Sequence, residues 1–309
     1  MRSILDVLRE LLPQCFEPSG FEQSNANGRV EPVGGGSISD AWHVWLPDQR
    51  QLFVKSNSED FLPNFQAEER GLAALYEAAQ DNDDLKVARP LMVAAARSRS
   101  WLVMDWISSD RPASDFFGRF GRGLAKLHHA TLKPSDDQNR IGWPADNFLG
   151  SAKQVNAKAE NWPGFVAEHR IGYQIRWAVD QGLADRALVR DCELIMQRMD
   201  SLLDGRQDTT SLLHGDLWSG NYLASSDGAA VIIDPAVYYG CREAEFGMLK
   251  LFGGCPDEFY RAYDDEFPMA DGWQKRVSVY VLYHLLNHLN LFGSGYLSQC
   301  KSTAADVLR

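Results

Sequence analysis

Two segments in the second half of this chain carry side chains spaced for chemistry. LLHGDLWSGN, residues 212–221, sets His214, Asp216 and Asn221 in the pattern H-x-D-x-x-x-x-N, and thirteen residues beyond Asn221 the run VIIDPA ends an apolar stretch on Asp234. One carboxylate that can take a proton from an attacking hydroxyl, with an amide oxygen and a second carboxylate that can hold a hard divalent cation, is the equipment of phosphoryl transfer. Asp216 is the candidate base. Asn221 and Asp234 are the candidate ligands for magnesium, which prefers oxygen donors. Either motif alone is compatible with a plain turn; the two in this order, downstream of a lysine-bearing strand, point to function.

These loops need elements to hold them and a partner site for phosphate. The first third of the chain reads mostly as strands: RVEPV before Gly34, Gly35 and Gly36, then SDAWHVWL and QLFVKS as a hairpin around PDQR, and PLMVAAA with SWLVMDWI as a second pair around RSRS. Between the pairs, FQAEERGLAALYEAA has apolar residues at helical spacing. Lys55 lies in the LFVKS strand, placed to reach phosphates, with Glu68 or Glu69 of the following helix as its carboxylate partner; spacing does not choose between them. The GGGSIS run is by itself a hairpin turn, but upstream of that lysine its backbone at Gly35, Gly36 and Ser37, continuing to Ile38, could cover phosphate oxygens. Met104, Asp105 and Trp106 end the last of these strands, where a backbone segment can meet an adenine edge.

From about residue 113 the pattern turns helical, with helices expected at FFGRFGRGLAKLHHATL, about 164–181, about 183–203 and 270–292; residues 133–163, rich in Pro, Asp, Asn and Gly, read as a long surface connection. The chain is therefore expected to be α+β in two lobes: residues 1–107 β-rich with one main helix and nucleotide-binding, residues 108–309 largely helical, catalytic and substrate-binding. Trp218, two residues past Asp216, would point to the same side in extended chain and offer a sugar an apolar face, its alternative being a core anchor for the loop. His128 and His129 read as packing or surface. His284 and His288, four apart, read as helix surface for want of a third metal ligand.

Bulk properties narrow the partners. The 309 residues carry a formal net charge of −11, which disfavours nucleic acid and anionic membranes. The five cysteines show no Cys-x-x-Cys and are odd in number, so a reducing cytoplasm is expected in place of a disulfide framework or zinc site. MRSILDVLRELL reads as an amphipathic helix, not a signal peptide, and no apolar run approaches a membrane span.

GGGSIS, LFVK, FQAEERGLAAL, LVMDW, DNFLGS, LLHGDLWSGN and DPAVYYGCREAEFGMLKLFGG, continuing into VLYHLLNHLNLFG, resemble the fructosamine/ketosamine-3-kinases, relatives of aminoglycoside phosphotransferases and choline kinases. The resemblance implies a two-lobed protein-kinase-like fold and an ATP- and magnesium-dependent phosphorylation of the 3-hydroxyl of ketosamines, small or protein-bound. Phosphate placed there lies next to the C2 carbonyl and is labile, so the glycation adduct can break down. Carried over residue by residue, Asp216 is the base, Asn221 and Asp234 the metal ligands, Lys55 the phosphate-binding lysine with Glu68 as partner, and Met104 to Trp106 the adenine hinge. Two positions depart from the pattern: Ser37 stands where some members have a redox-sensitive cysteine, and Glu245 where the helix bracing the catalytic loop commonly has Asp. The rival readings are another small-alcohol kinase of the wider group and a silent nucleotide-binding module, the latter disfavoured by the intact Lys55, Asp216, Asn221 and Asp234. A protein kinase is disfavoured because only eight residues separate Asp234 from Glu243, too few for a peptide-docking segment.

Overall fold

Period-two alternation builds the N-terminal third. In the computed structural model, which describes residues 4–13, 28–34, 38–134, 137 and 141–309, strand β3 (Gln51–Ser58) runs antiparallel between β2 (Asp40–Trp45) and β6 (Arg99–Asp105). Flanked by β1 (Arg29–Pro32) and β5 (Pro90–Ala96), they form a five-stranded sheet in the order β1-β2-β3-β6-β5. Leu52 and Val54, with Trp101 and Val103 opposite, face the amphipathic helix α1 (Ile4–Leu11), whose Val7 and Leu8 complete a small core. The alternate residues Phe53 and Lys55, with Leu102 and Met104, face the other way. There helix α2 (Leu62–Ala78) buries Phe65, Leu72 and Leu75, a stripe that carries Glu68 on the same side. The RSRS turn closes β5 onto β6 with Arg97 and Ser98 both left-handed, the geometry a tight hairpin asks for.

The rest is largely helical, with small sheets where the motifs lie. β4 (Leu85–Val87), β7 (Ser109–Asp110), β11 (Tyr222–Ser225) and β12 (Ala230–Ile232) make a four-stranded sheet in the order β4-β12-β11-β7. β10 (Ser211–Leu213) pairs with β13 (Tyr238–Gly240). α3 (Phe116–Ala130) packs on α9 (Asp257–Glu266). α4 (Trp162–Phe165) passes through a π-helical turn, Val166–Gly172, into α5 (Tyr173–Asp180), followed by α6 (Arg186–Gln197) and α7 (Met199–Leu202). At the centre lies α10 (Trp273–Phe292), packed against α5, α8 (Glu245–Leu251) and α11 (Leu297–Val307).

Two readings need correction. His284 and His288 are not on a helix surface: α10 is apolar on nearly every side and is buried without a break from Val279 to Asn290. Burial drives both imidazoles below the ordinary range, His284 to about 3. Residues 133–163 are not simply a surface connection either. They contain the hairpin β8 (Asn147–Leu149)–β9 (Ala152–Gln154), and Asn147, Gln154 and Asn156 are buried. Their polarity is turned inward to backbone carbonyls, which composition cannot distinguish from polarity turned to water. Among the described residues no helix is long and apolar enough to cross a membrane.

Candidate active site

The LLHGDLWSGN loop connects β10 to β11, and Asp234 follows β12, so two adjacent turns bring the acidic motifs together. The turns are bonded to each other: Ile233 N–H donates to the Asn221 carbonyl at 3.0 Å and Ala236 N–H to the His214 carbonyl at 2.8 Å. His214 is wholly buried and kept neutral by burial. Its Nε2 lies 2.8 Å from the Ile233 carbonyl and its Nδ1 3.3 Å from Asp216 N–H, so the proton sits on Nε2 and Nδ1 accepts. His214 thus works as a strut. Gly215 is left-handed, and a Cβ there would stand 2.1 Å from the Ala236 carbonyl oxygen, so the HGD spelling follows from close approach of the two turns.

Glu245, at the start of α8, is the second support. Its carboxylate accepts the backbone N–H of His214 at 2.6 Å and of Gly215 at 3.0 Å. Burial alone would raise this carboxyl; His128 and the His214 backbone N–H outweigh it and hold the group below the ordinary glutamate range. Behind it His128 Nε2 lies 3.5 Å away, with His128 Nδ1 2.7 Å from the Tyr263 hydroxyl. His128 is therefore packing, as expected, and the longer side chain of Glu245 still reaches the loop.

Lys55 meets this assembly from β3. Its ammonium donates to Glu68 at 2.7 Å and to Asp234 at 2.5 Å, which settles the choice between Glu68 and Glu69. Burial alone would lower the ammonium; Asp234 and Glu68 overcome it and raise it above the ordinary lysine range. Two of its three N–H donors are engaged, and the third is available to an oxygen entering the cleft. Asn221 donates its amide to the Asp216 carbonyl at 2.7 Å and to Asp216 Oδ2 at 3.2 Å, so its amide oxygen is left as an acceptor. Asp216 Oδ1 is buried and has no hydrogen-bond partner. Burial, and then the charge of Asp234, push the Asp216 carboxyl well above the ordinary range. The Asp234 side chain stays 46 % exposed, and its backbone is left-handed at φ 57°. One amide oxygen and one open carboxylate suit magnesium, which keeps waters and substrate phosphates as its other ligands.

Asp105 and Trp106 spend their N–H groups on the carbonyls of Arg89 at 3.0 Å and Gln51 at 3.2 Å, so neither donates to an adenine edge. Trp106 also stacks on His43 at 3.5 Å, and Met104 is buried. Trp218 is half-buried and packs on Phe252, ring centroids 4.9 Å apart. Gly35, Gly36 and Ser37 lie outside the described residues, and with them the phosphate-covering loop and the Ser37 departure. Not legible in the sequence were the strut role of His214 within the HGD motif and the support that His128 and Tyr263 give Glu245.

The fold is shared with a solved aminoglycoside phosphotransferase, 15 % identical and covering 98 % of this chain and 99 % of its own, which superposes with a TM-score of 0.59, a likeness of fold alone. The fructosamine kinase family model matches residues 18–309, and the chain belongs to that family. It is 38 % identical to a Synechocystis protein named as a probable ketoamine kinase, over 90 % of this chain and 89 % of that one. It is 37 % identical to the chloroplastic protein-ribulosamine 3-kinase of Arabidopsis thaliana, over 91 % of this chain and 83 % of that one. A Thermobifida fusca crystal structure named for a fructosamine-3-kinase, 33 % identical, superposes with a TM-score of 0.78 over 91 % of this chain and 93 % of its own.

Proposed function

We propose that this chain is an ATP- and magnesium-dependent ketosamine 3-kinase whose catalytic base is Asp216. The observation that carries the reading is the convergence of Lys55 from β3, Glu68 from α2, Asp216 and Asn221 from the β10–β11 loop and Asp234 from the turn after β12, in a member of a family whose relatives are named ketoamine and ribulosamine kinases. The division of labour follows the two lobes: residues 1–107 hold the nucleotide, with Lys55 on its phosphates and the 104–106 strand end beside its base. Residues 108–309 supply the base and the acceptor site. The charge balance and the free thiols of Cys192, Cys241, Cys255 and Cys300 suit a small-molecule or glycated-protein substrate in a reducing cytoplasm, not nucleic acid or membrane.

The chemistry follows from the unpartnered Oδ1 of Asp216. A substrate hydroxyl entering the cleft donates its hydrogen bond there, and the proton passes to the carboxylate as the oxygen bonds to the γ-phosphorus and the bond to the ADP oxygen breaks. A carboxyl raised by burial and by Asp234 is a better proton acceptor than a solvated aspartate. The Asn221 amide holds Asp216 Oδ2, fixing which oxygen faces the acceptor, while Lys55 binds phosphate oxygens. Magnesium held by Asn221 and Asp234 would neutralise charge on the transferred group. In the product the C3 phosphate can leave once a C1 proton is lost to form the enolamine, and water then frees the amine.

ADP release measured with fructose-, ribulose- and erythrulose-amines, choline and aminoglycosides decides the acceptor. The reading expects turnover of a ketosamine, a mass gain of one phosphate and later release of free amine. Turnover of another alcohol with the ketosamines untouched would leave only the kinase.

A further inference from the structure

The β8–β9 hairpin is tied by buried polar side chains to the turn that follows Asp234. Asn147 Nδ2 donates to the Val237 carbonyl at 2.7 Å, and Gln154 Nε2 donates to the Ala236 carbonyl at 2.9 Å and to Asn147 Oδ1 at 2.8 Å. Gln154 Oε1 accepts the Tyr283 hydroxyl of α10 at 2.8 Å. Asn156 Nδ2 donates to Asn147 Oδ1 at 2.8 Å, and its own oxygen accepts from Arg170 at 2.9 Å. Asn147, Gln154, Asn156 and Arg170 are each 1–3 % exposed. Arg170, in the π-helical turn, has its guanidinium 4.3 Å from the Tyr238 ring and 4.4 Å from the Phe165 ring.

Burying four such groups is costly unless every bond is made, and apolar residues of similar size would hold a hairpin at less cost. What the polar groups provide is direction. Both bonds to the core end on consecutive carbonyls, two and three residues past Asp234, and between them and Asp234 stands only Pro235, whose φ is fixed by its ring. The same Ala236 donates its N–H to His214 of the catalytic loop. Gln154 is locked in sense as well: its amide faces two acceptors and its oxygen faces one donor, so the side chain has a single satisfied orientation.

We infer that Asn147 and Gln154, oriented by Tyr283 and the Asn156–Arg170 pair, are positioning residues that set the height of Asp234 in the cleft and thereby the affinity for the nucleotide-bound divalent cation. This rests on the kinase reading, though not on the identity of the acceptor. Groups that orient a metal ligand typically govern its affinity about 10–100-fold.

The test is binding of a fluorescent ATP analogue by the purified full chain, titrated with Mg2+ and without any acceptor. Asn147→Leu and Gln154→Met are expected to raise the half-saturating Mg2+ by about 10–100-fold. Tyr283→Phe, which keeps the ring and removes one donor, is expected to shift it less in the same direction, with near-UV circular dichroism unchanged and binding of the analogue in EDTA as in the parent. Should Asn147→Leu fail to fold, Gln154→Met and Tyr283→Phe carry the test. A purely structural hairpin would lower the unfolding temperature and leave the Mg2+ requirement where it was. Folded variants with the parent's half-saturation overturn the inference, and a parent without Mg2+-dependent binding overturns the kinase reading together with it.

Discussion

Shortening Glu245 to aspartate withdraws a buried carboxylate from the two N–H groups that hold the catalytic loop. The bonds to His214 and Gly215 are 2.6 and 3.0 Å long, and one carbon–carbon bond fewer moves the acceptor back by about 1.5 Å, beyond hydrogen-bond range for both. Bonds to a charged acceptor contribute about 1.5–3 kcal/mol each. With backbone and helix rigid the loss is about 3–6 kcal/mol, and with the loop following the carboxylate it is about half that, the remainder appearing as displacement of Asp216. Misplacement by about 1 Å can cost on the order of 10²-fold in rate. Urea unfolding and kcat on one preparation of Glu245→Asp therefore read both branches, and at least one must fall. A variant with the parent's unfolding midpoint and the parent's kcat would refute the brace. Glu245→Gln adds a pH signature. Because the folded carboxyl lies below its ordinary range, its stabilisation is full above the unfolded value of about 4.3 and is lost as the pH falls through the folded one. The glutamine variant should lose less stability than the parent across that acid window.

Lys55→Met leaves Glu68 and Asp234 facing each other without their shared cation; a cost of about 3–5 kcal/mol is expected in urea unfolding, and an unchanged midpoint would remove the pair from the fold's support. His284, held neutral with a pKa of about 3 against about 6.5 unfolded, contributes stability that is full above the unfolded value and is lost as pH falls towards the folded one. His284→Leu should flatten the fall in melting temperature between those limits, and a parallel pair of curves would contradict this. Trp218→Ala should raise KM for a ketosamine far more than KM for ATP with circular dichroism unchanged; equal effects on both would return Trp218 to the role of loop anchor against Phe252.

The fold and the centre of the site were legible because both rest on local spacing. Period-two alternation in LFVKS placed Lys55 on the face opposite Val54, and the HGD and DPA turns need only adjacent strands to meet. What was not legible depends on long-range packing. Glu68 and Glu69 differ by one position around α2, and only the docking of that helix on the sheet selects Glu68. The polar run 133–163 gave no sign that Asn147 and Gln154 point inward, because an amide bonded to a buried carbonyl and one bonded to water look alike in composition. For His284 and His288 the want of a third metal ligand speaks only against a metal site; the packing of α5, α8 and α11 around α10 decides their burial.

Asp216 is the most exposed point of the account, and its asparagine variant tests it most directly. Asp216→Asn keeps the shape of the side chain, relieves a buried carboxylate whose Oδ1 has no partner, and cannot accept the hydroxyl proton. With ATP, Mg2+ and a fructose- or ribulose-amine followed by mass spectrometry, the parent should form the 3-phosphate. The variant should bind nucleotide as tightly, unfold no more easily, and form the phosphate about 10²–10⁴-fold more slowly. A variant that phosphorylates the ketosamine at near the parent's kcat would contradict the assignment of Asp216 as the base.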